Sequence, residues 1–304
     1  MPAAIASRRD DARLPYAAVG VTVLVWGVGP LLTRAVHLPG VAAGFWRMWL
    51  SVPLSVLLAR ALGTPLTVAI ARRAALGGVL FASSFVASYE ALHRTSVATA
   101  SLISALQPVL VIIAARPLFG ERVGGRDLLW SALAFVGIGA VIAGGHGGGG
   151  HGALVGDLYG LVNLVLWAGY FLELKRRRTA GVAAFAHLAG IFVTGAIVIT
   201  PYALLTGAPI GSIDRAAFAR ILLVVLGPGL VGHGLMTWAQ RHIDVTVASL
   251  LTLGSVPIAT VGAWIVFHQS LDLVQMLGGV VVLGALAALV VGRSRAEPVG
   301  QAAT

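Results

Sequence analysis

Residues Tyr89 to Arg122 read YEALHRTSVATASLISALQPVLVIIAARPLFGER. Within this run, positions 97–116 supply an apolar stretch of the length, roughly 20 residues, that a helix needs to cross a hydrocarbon core of about 30 Å. A related segment starts at Asp244 and reads DVTVASLLTLGSVPIATVGAWIVFHQ. At an offset of 148, Val97, Ala100, Ser101, Leu102 and Phe119 recur as Val245, Ala248, Ser249, Leu250 and Phe267, with Thr252 standing for Ser104. A second correspondence, at an offset of 141, places Val23, Trp26 and Arg34 on Leu164, Trp167 and Lys175. The chain therefore reads as a duplication.

Composition says what solvent this duplication lives in. Of 304 residues, 58% are apolar or aromatic and 11% are charged, against about 25% charged in soluble domains. A mean hydropathy of +0.93 points to lipid and excludes a soluble enzyme or a disordered chain. The chain has no cysteine, which rules out disulfides, thiol catalysis and cysteine-ligated metals. Residues 1–15 lack the apolar core of a secretory signal peptide, so the amino terminus is expected to be retained.

Ten stretches qualify as spans, near 16–34, 40–60, 75–93, 97–116, 126–143, 154–173, 182–204, 217–239, 245–267 and 272–291. With a cytoplasmic amino terminus, 16 basic residues fall inside, four (Arg34, Arg94, Arg215 and Arg220) fall outside, and Arg47 lies within a span. That bias obeys the positive-inside rule and predicts both termini, 1–15 and 293–304, in the cytoplasm. The dispersal of basic residues over short segments excludes nucleic-acid binding. The repeats then pair span 1 with span 6 and span 4 with span 9. Five spans per repeat is an odd number, so the second copy, 154–292, is inverted relative to the first, 16–143. Inverted repeats recur in secondary transporters. The stretch between them, 144–153, contains GGHGGGGHG and reads as a flexible connector rather than a metal site.

These residues resemble the ten-helix EamA branch of the drug/metabolite transporter superfamily. The resemblance covers about residues 16–292 and rests on Trp26-Gly27, on Phe45-Trp46-Arg47, and on the 89–122 run with its 13-residue spacing from Pro108 to Glu121. In the second half the pattern departs, with Val256 beside Pro257 in place of Pro108 and Gln269 in place of Glu121. The resemblance implies an all-α integral membrane carrier in a bacterial cytoplasmic membrane, often an exporter of amino acids or other small metabolites. It further implies a central cavity between two four-helix bundles, with the fifth helix of each half at the periphery.

The candidate cavity residues are Trp26, Arg47, Tyr89, Glu90, Gln107, Asn163, Trp167, Tyr170 and Trp238. Arg47 costs about 2.5–3.5 kcal/mol to insert and requires a partner or water; Glu90 is the candidate partner, and loop carbonyls are the alternative. Gln107 either satisfies the carbonyl that Pro108 frees or binds a ligand. Asn163 is either interhelical glue or part of the site, and any of the aromatics is alternatively an interfacial belt residue. Glu90, His187 and His233 are the candidates for proton coupling; for the histidines neutral packing with one satisfied nitrogen is the commoner role. Gly78, Pro108, Gly227, Pro228, Gly229 and Pro257 are expected to act as bending elements, although small residues also serve close helix packing.

No deep pair of carboxylates and no complete nucleophile constellation supports an intramembrane enzyme; Gly254-Ser255 alone is insufficient. Neither a carboxylate ring nor a filter-like loop supports a channel. No cofactor is expected. The expected partners are a small-molecule substrate and the bilayer, with the protein a monomer or homodimer. Multidrug or cation efflux and flipping of a lipid-linked substrate stand as alternatives to metabolite export.

Overall fold

The computed structural model describes residues 2–119, 124–145, 150–243, 248, 251–269 and 271–296. Glu121, Val245, Ser249, Leu250 and connector residues 146–149, all used above, lie outside these. Among the described residues the regular elements are helices throughout, as lipid demands of a chain that has to satisfy its own backbone hydrogen bonds. They are α1 (Pro2–Arg34), α2 (Gly40–Ala61), α3 (Val68–Arg94), α4 (Val97–Ser104), α5 (Gln107–Phe119), α6 (Gly125–Gly145), α7 (Gly150–Thr179), α8 (Ala184–Leu205), α9 (Arg215–Val224), a π-helical segment (Val225–Gly232), α10 (His233–Ala239), α11 (Ser255–Phe267) and α12 (Leu273–Ala296).

Among the described residues eight stretches of helix are long and apolar enough to cross a membrane, ending with Arg215–Ala239; Thr252–Phe267 and Leu273–Leu289 are apolar but shorter. Large apolar side chains such as Leu57, Val136, Ile197, Trp264 and Ile265 are exposed on the outer surface. In lipid that exposure carries no penalty.

Three expected spans are not continuous α-helices. The fourth breaks at Ala105–Leu106 between α4 and α5, because Pro108 has no N–H to donate back to the carbonyl of Ser104. Its counterpart breaks at the 3₁₀ turn Thr252–Gly254 ahead of Pro257. The eighth span passes through the π segment around Pro228. The third begins at Val68, seven residues earlier than expected, because the Thr67 side chain accepts from Ile70 N and caps it.

Helix packing fixes two faces. Arg34 donates to the carbonyls of Leu92 and Thr95, Arg220 to that of Ala35, and the Gln269 side chain accepts from Val97 N at 3.0 Å. These contacts gather the ends of α1, α3 and α11 and the starts of α4 and α9 on one face, called here the first face. On the opposite, second face Lys175 donates to the carbonyls of Gln240 and Ile243.

The contacts between elements are reciprocal under exchange of the two halves. α1 packs on α11 as α7 packs on α4, and α3 on α7 as the α9-to-α10 stretch packs on α1. α2 meets α8, and α6 meets α12. In the last pair a Cβ on Gly137 would lie 3.0 Å from the Gly278 carbonyl oxygen, and one on Gly278 would lie 2.7 Å from that of Gly137. Only glycine allows these two backbones to touch.

Candidate functional site

A cavity of about 190 Å³ opens among α1, α2, α3, α4, α7, the π segment and α11, and residues of both halves line it. It lies toward the first face, where Thr33, Ser88 and Leu92 line it and a buried cluster of Leu92, Val97, Ala100, Ala259 and Ala263 packs beside it. Toward the second face the path is filled by a buried apolar cluster of Ala18, Val19, Val111, Ala168, Phe171, Met236, Ala239, Ile243 and Ala248. The cavity therefore sits off-centre along the axis, nearer the first face.

The floor of the cavity is aromatic. Trp26 and Trp167, equivalent at the 141 offset, meet edge to face with ring centroids 5.4 Å apart. The Trp26 indole N–H donates to the Pro228 carbonyl at 3.1 Å, using an acceptor on the π segment. His233, only 2% exposed, sits among Trp26, Phe81 and Trp167 at centroid distances of 5.0, 4.8 and 5.4 Å. A 3.0 Å hydrogen bond joins His233 Nδ1 to the Tyr170 hydroxyl.

Arg47 enters from α2 and lines the cavity. Its guanidinium lies 3.8 Å from the Phe85 ring centroid and 5.4 Å from that of Phe81, a cation–π arrangement. Arg47 is 6% exposed, and its Nε has no hydrogen-bond partner among the described residues. The expected ion pair with Glu90 is not formed. Glu90 instead pairs with Arg94, one helical turn away, at 2.9 Å, and it does not line the cavity. The i,i+4 geometry of a single helix outcompetes a partner on another helix.

The remaining polar wall comes from Gln107, Asn163, Ser84, Ser101, Ser104, Thr252 and Ser255. Asn163 Nδ2 approaches Ser104 Oγ at 3.4 Å, whereas Gln107 Nε2 and Ser101 Oγ have no partner among the described residues. Of the residues singled out from sequence, the structure therefore brings Trp26, Arg47, Gln107, Asn163, Trp167, Pro228 and His233 together around one cavity. Tyr170 stands behind His233. Tyr89 is buried a turn from Phe85 and stacks on His93 at 5.3 Å. Trp238 packs on His242, away from the cavity. His187 is fully buried in α8 and contributes nothing to the wall.

Pro108 lies in the first turn of α5, and Pro257 in that of α11. Gly227 and Gly229 flank Pro228 in the π segment. Gly78 belongs to a tight α3–α8 crossing, where an added Cβ would collide with the Thr194 hydroxyl and lie 2.8 Å from the Ile191 carbonyl oxygen; its place in the fold is close packing.

Sequence reasoning missed Phe81 and Phe85. Their signal was available, because 81, 85, 89 and 93 are all rings at four-residue spacing on one helix.

Residues 14–143 and 154–291 each match the EamA-like transporter family. The chain belongs to that family. EamA transporters form part of the drug/metabolite transporter superfamily, and the two matched segments are the two halves between which the contacts above are exchanged. An uncharacterized transporter of Archaeoglobus fulgidus is 28% identical to this EamA chain over 216 residues, covering 69% of this chain and 74% of its own. A solved structure described only as "Crystal structure of protein" superimposes with a TM-score of 0.66 at 17% identity, over 93% of this chain and 99% of that one. That likeness shows a shared fold.

Proposed function

We propose that this EamA transporter is a secondary carrier that moves a small metabolite outward across a bacterial cytoplasmic membrane by alternating access. Its ten spans form two inverted five-span repeats, with the two shorter apolar stretches falling in spans 9 and 10. The first face is the outer one, as the sorting of basic residues requires. What supports this most is the position of the cavity: walled by both halves, it lies toward the first face, with a buried apolar cluster between it and the second. Exchanging the roles of the halves would carry it toward the second face, which is how inverted repeats supply two gates around one site. Trp26 and Trp167 form the shared floor, and Pro108, Pro228 and Pro257 mark the places where helices bend between the two states.

The chain contains no cysteine, so a single introduced thiol reports its own side. Leu62→Cys lies between spans 2 and 3, and Gly211→Cys lies at the equivalent place between spans 7 and 8. Impermeant maleimide on intact cells is expected to label the second and to label the first only after lysis. Labelling of both from one side would refute inverted topology. For transport, purified protein in liposomes is expected to give saturable counterflow of a small metabolite. Lipid scrambling without such exchange would establish the flippase alternative instead.

A further inference from the structure

We propose that the cavity recognises a small organic monoanion with a flat apolar body, held by the Arg47 guanidinium, and discriminates against zwitterions and cations. This deepens the carrier reading above and rests on it only for the transport step. Among the described residues, Arg47 is the one Arg, Lys, Asp or Glu in the cavity wall. The nearest carboxylate by sequence reasoning, Glu90, is committed to Arg94 and leaves the cavity's positive charge uncompensated. Arg47 is more than nine-tenths buried and stacked on Phe85, so its fork is oriented before any ligand arrives.

A planar, delocalised guanidinium, here with its Nε unpaired among the described residues, matches a carboxylate in two parallel hydrogen bonds. Elsewhere in the same wall Gln107 Nε2 is another donor with no acceptor among the described residues, and Ser101 Oγ is likewise without a partner. The wall therefore offers donors to an acceptor-rich group. An ammonium would face Arg47 with no carboxylate to offset the repulsion, which in a low-dielectric site is costly. The rest of the ligand meets Trp26, Phe81 and Trp167, whose faces accept a flat apolar body. At about 190 Å³ the space is smaller than sites for drug-sized ligands, roughly 300–1,000 Å³, which restricts that body to about one ring.

Three probes with one body and three charges test this on the full-length protein: phenylacetate, phenylalanine and phenethylamine. Binding is followed by intrinsic tryptophan fluorescence, since Trp26 and Trp167 lie in the wall, and by thermal shift at pH 7.5. Phenylacetate is expected to bind at least tenfold more tightly than either of the others. Arg47→Gln is expected to abolish that preference and Arg47→Lys to retain part of it. Equal or tighter binding of phenylalanine or phenethylamine, no binding of phenylacetate, or a preference that survives in folded R47Q overturns the proposal. The charge series on the unaltered protein decides the matter even if R47Q fails to fold. Protein-dependent counterflow separates the two ideas. Selective phenylacetate binding without exchange keeps the anion site and removes the carrier, whereas exchange confined to phenethylamine keeps the carrier and removes the anion site.

Discussion

Lys175 and Arg34 perform the same task at opposite faces of the molecule. The Lys175 ammonium donates to the carbonyls of Gln240 and Ile243 at 3.1 Å each, and the Arg34 guanidinium donates to those of Leu92 and Thr95. Both acceptor numbers differ by 148, the offset that relates the repeats in sequence. Each cation ties the end of the first helix of its half to the turn between the third and fourth. Charge-assisted hydrogen bonds of this kind contribute about 1.5–3 kcal/mol. Arg34→Ala and Lys175→Ala are each expected to lose roughly that much stability in detergent, and the double variant is expected to lose the sum because the sites are far apart. Strong non-additivity would show that the two clamps are coupled through the fold.

Arg47 and Glu90 lack a direct contact, so their effects are expected to add. A double-mutant cycle with R47Q and E90Q on thermal stability should close within about 0.5 kcal/mol. The cycle E90Q with R94Q should give a coupling of about 0.3–0.5 kcal/mol, as for exposed i,i+4 pairs. A coupling above about 1 kcal/mol for Arg47 with Glu90 would contradict the geometry.

The glycines of α3 and the π segment separate in the same assay. Gly78→Ala drives a methyl into Thr194 and the Ile191 carbonyl and is expected to destabilise by about 1–3 kcal/mol, as overpacking does. At Gly227 an added Cβ meets only Val25 Cγ1 at 3.6 Å, an ordinary contact. Gly227→Ala should therefore leave the melting temperature close to that of the parent while Gly78→Ala lowers it.

Gln269 caps α4 from the far half by accepting from Val97 N. Gln269→Leu is expected to cost about 0.5–2 kcal/mol, the range for loss of a helix cap. Gln269→Glu keeps the acceptor and adds a negative charge at a helix N-terminus, worth about 0.3–1 kcal/mol in its favour. A Q269E protein less stable than Q269L would refute the capping role.

How far the chain could be read beforehand follows from which forces act locally. Helix positions, the pairing of Trp26 with Trp167 and the depth of Arg47 were legible because hydropathy and repetition are properties of one segment at a time. The partner of Arg47 was not. Spacing places Phe81 and Phe85 on one face of α3, but only packing decides that this face meets α2, and only the competition with Arg94 removes Glu90. Tyr89 and Trp238 likewise sit at plausible depth, yet their helices turn them toward His93 and His242. The π segment was legible only as a cluster of Gly227, Pro228 and Gly229, because its register shift arises from hydrogen bonds that no side-chain pattern records.

The scaffold is two-fold but its charge is not. α8, which faces α2 across the exchange of halves, carries neither arginine nor lysine. A walled space whose two sides trade places would treat both ends of a ligand alike if its walls were alike. With Arg47 of α2 as the one cation in the wall among the described residues, an anion held there in the proposed carrier cycle would point the same end toward α2 whichever face were open. The polarity of the bound molecule would then be set by one helix, and it would be the walls that turned around the ligand.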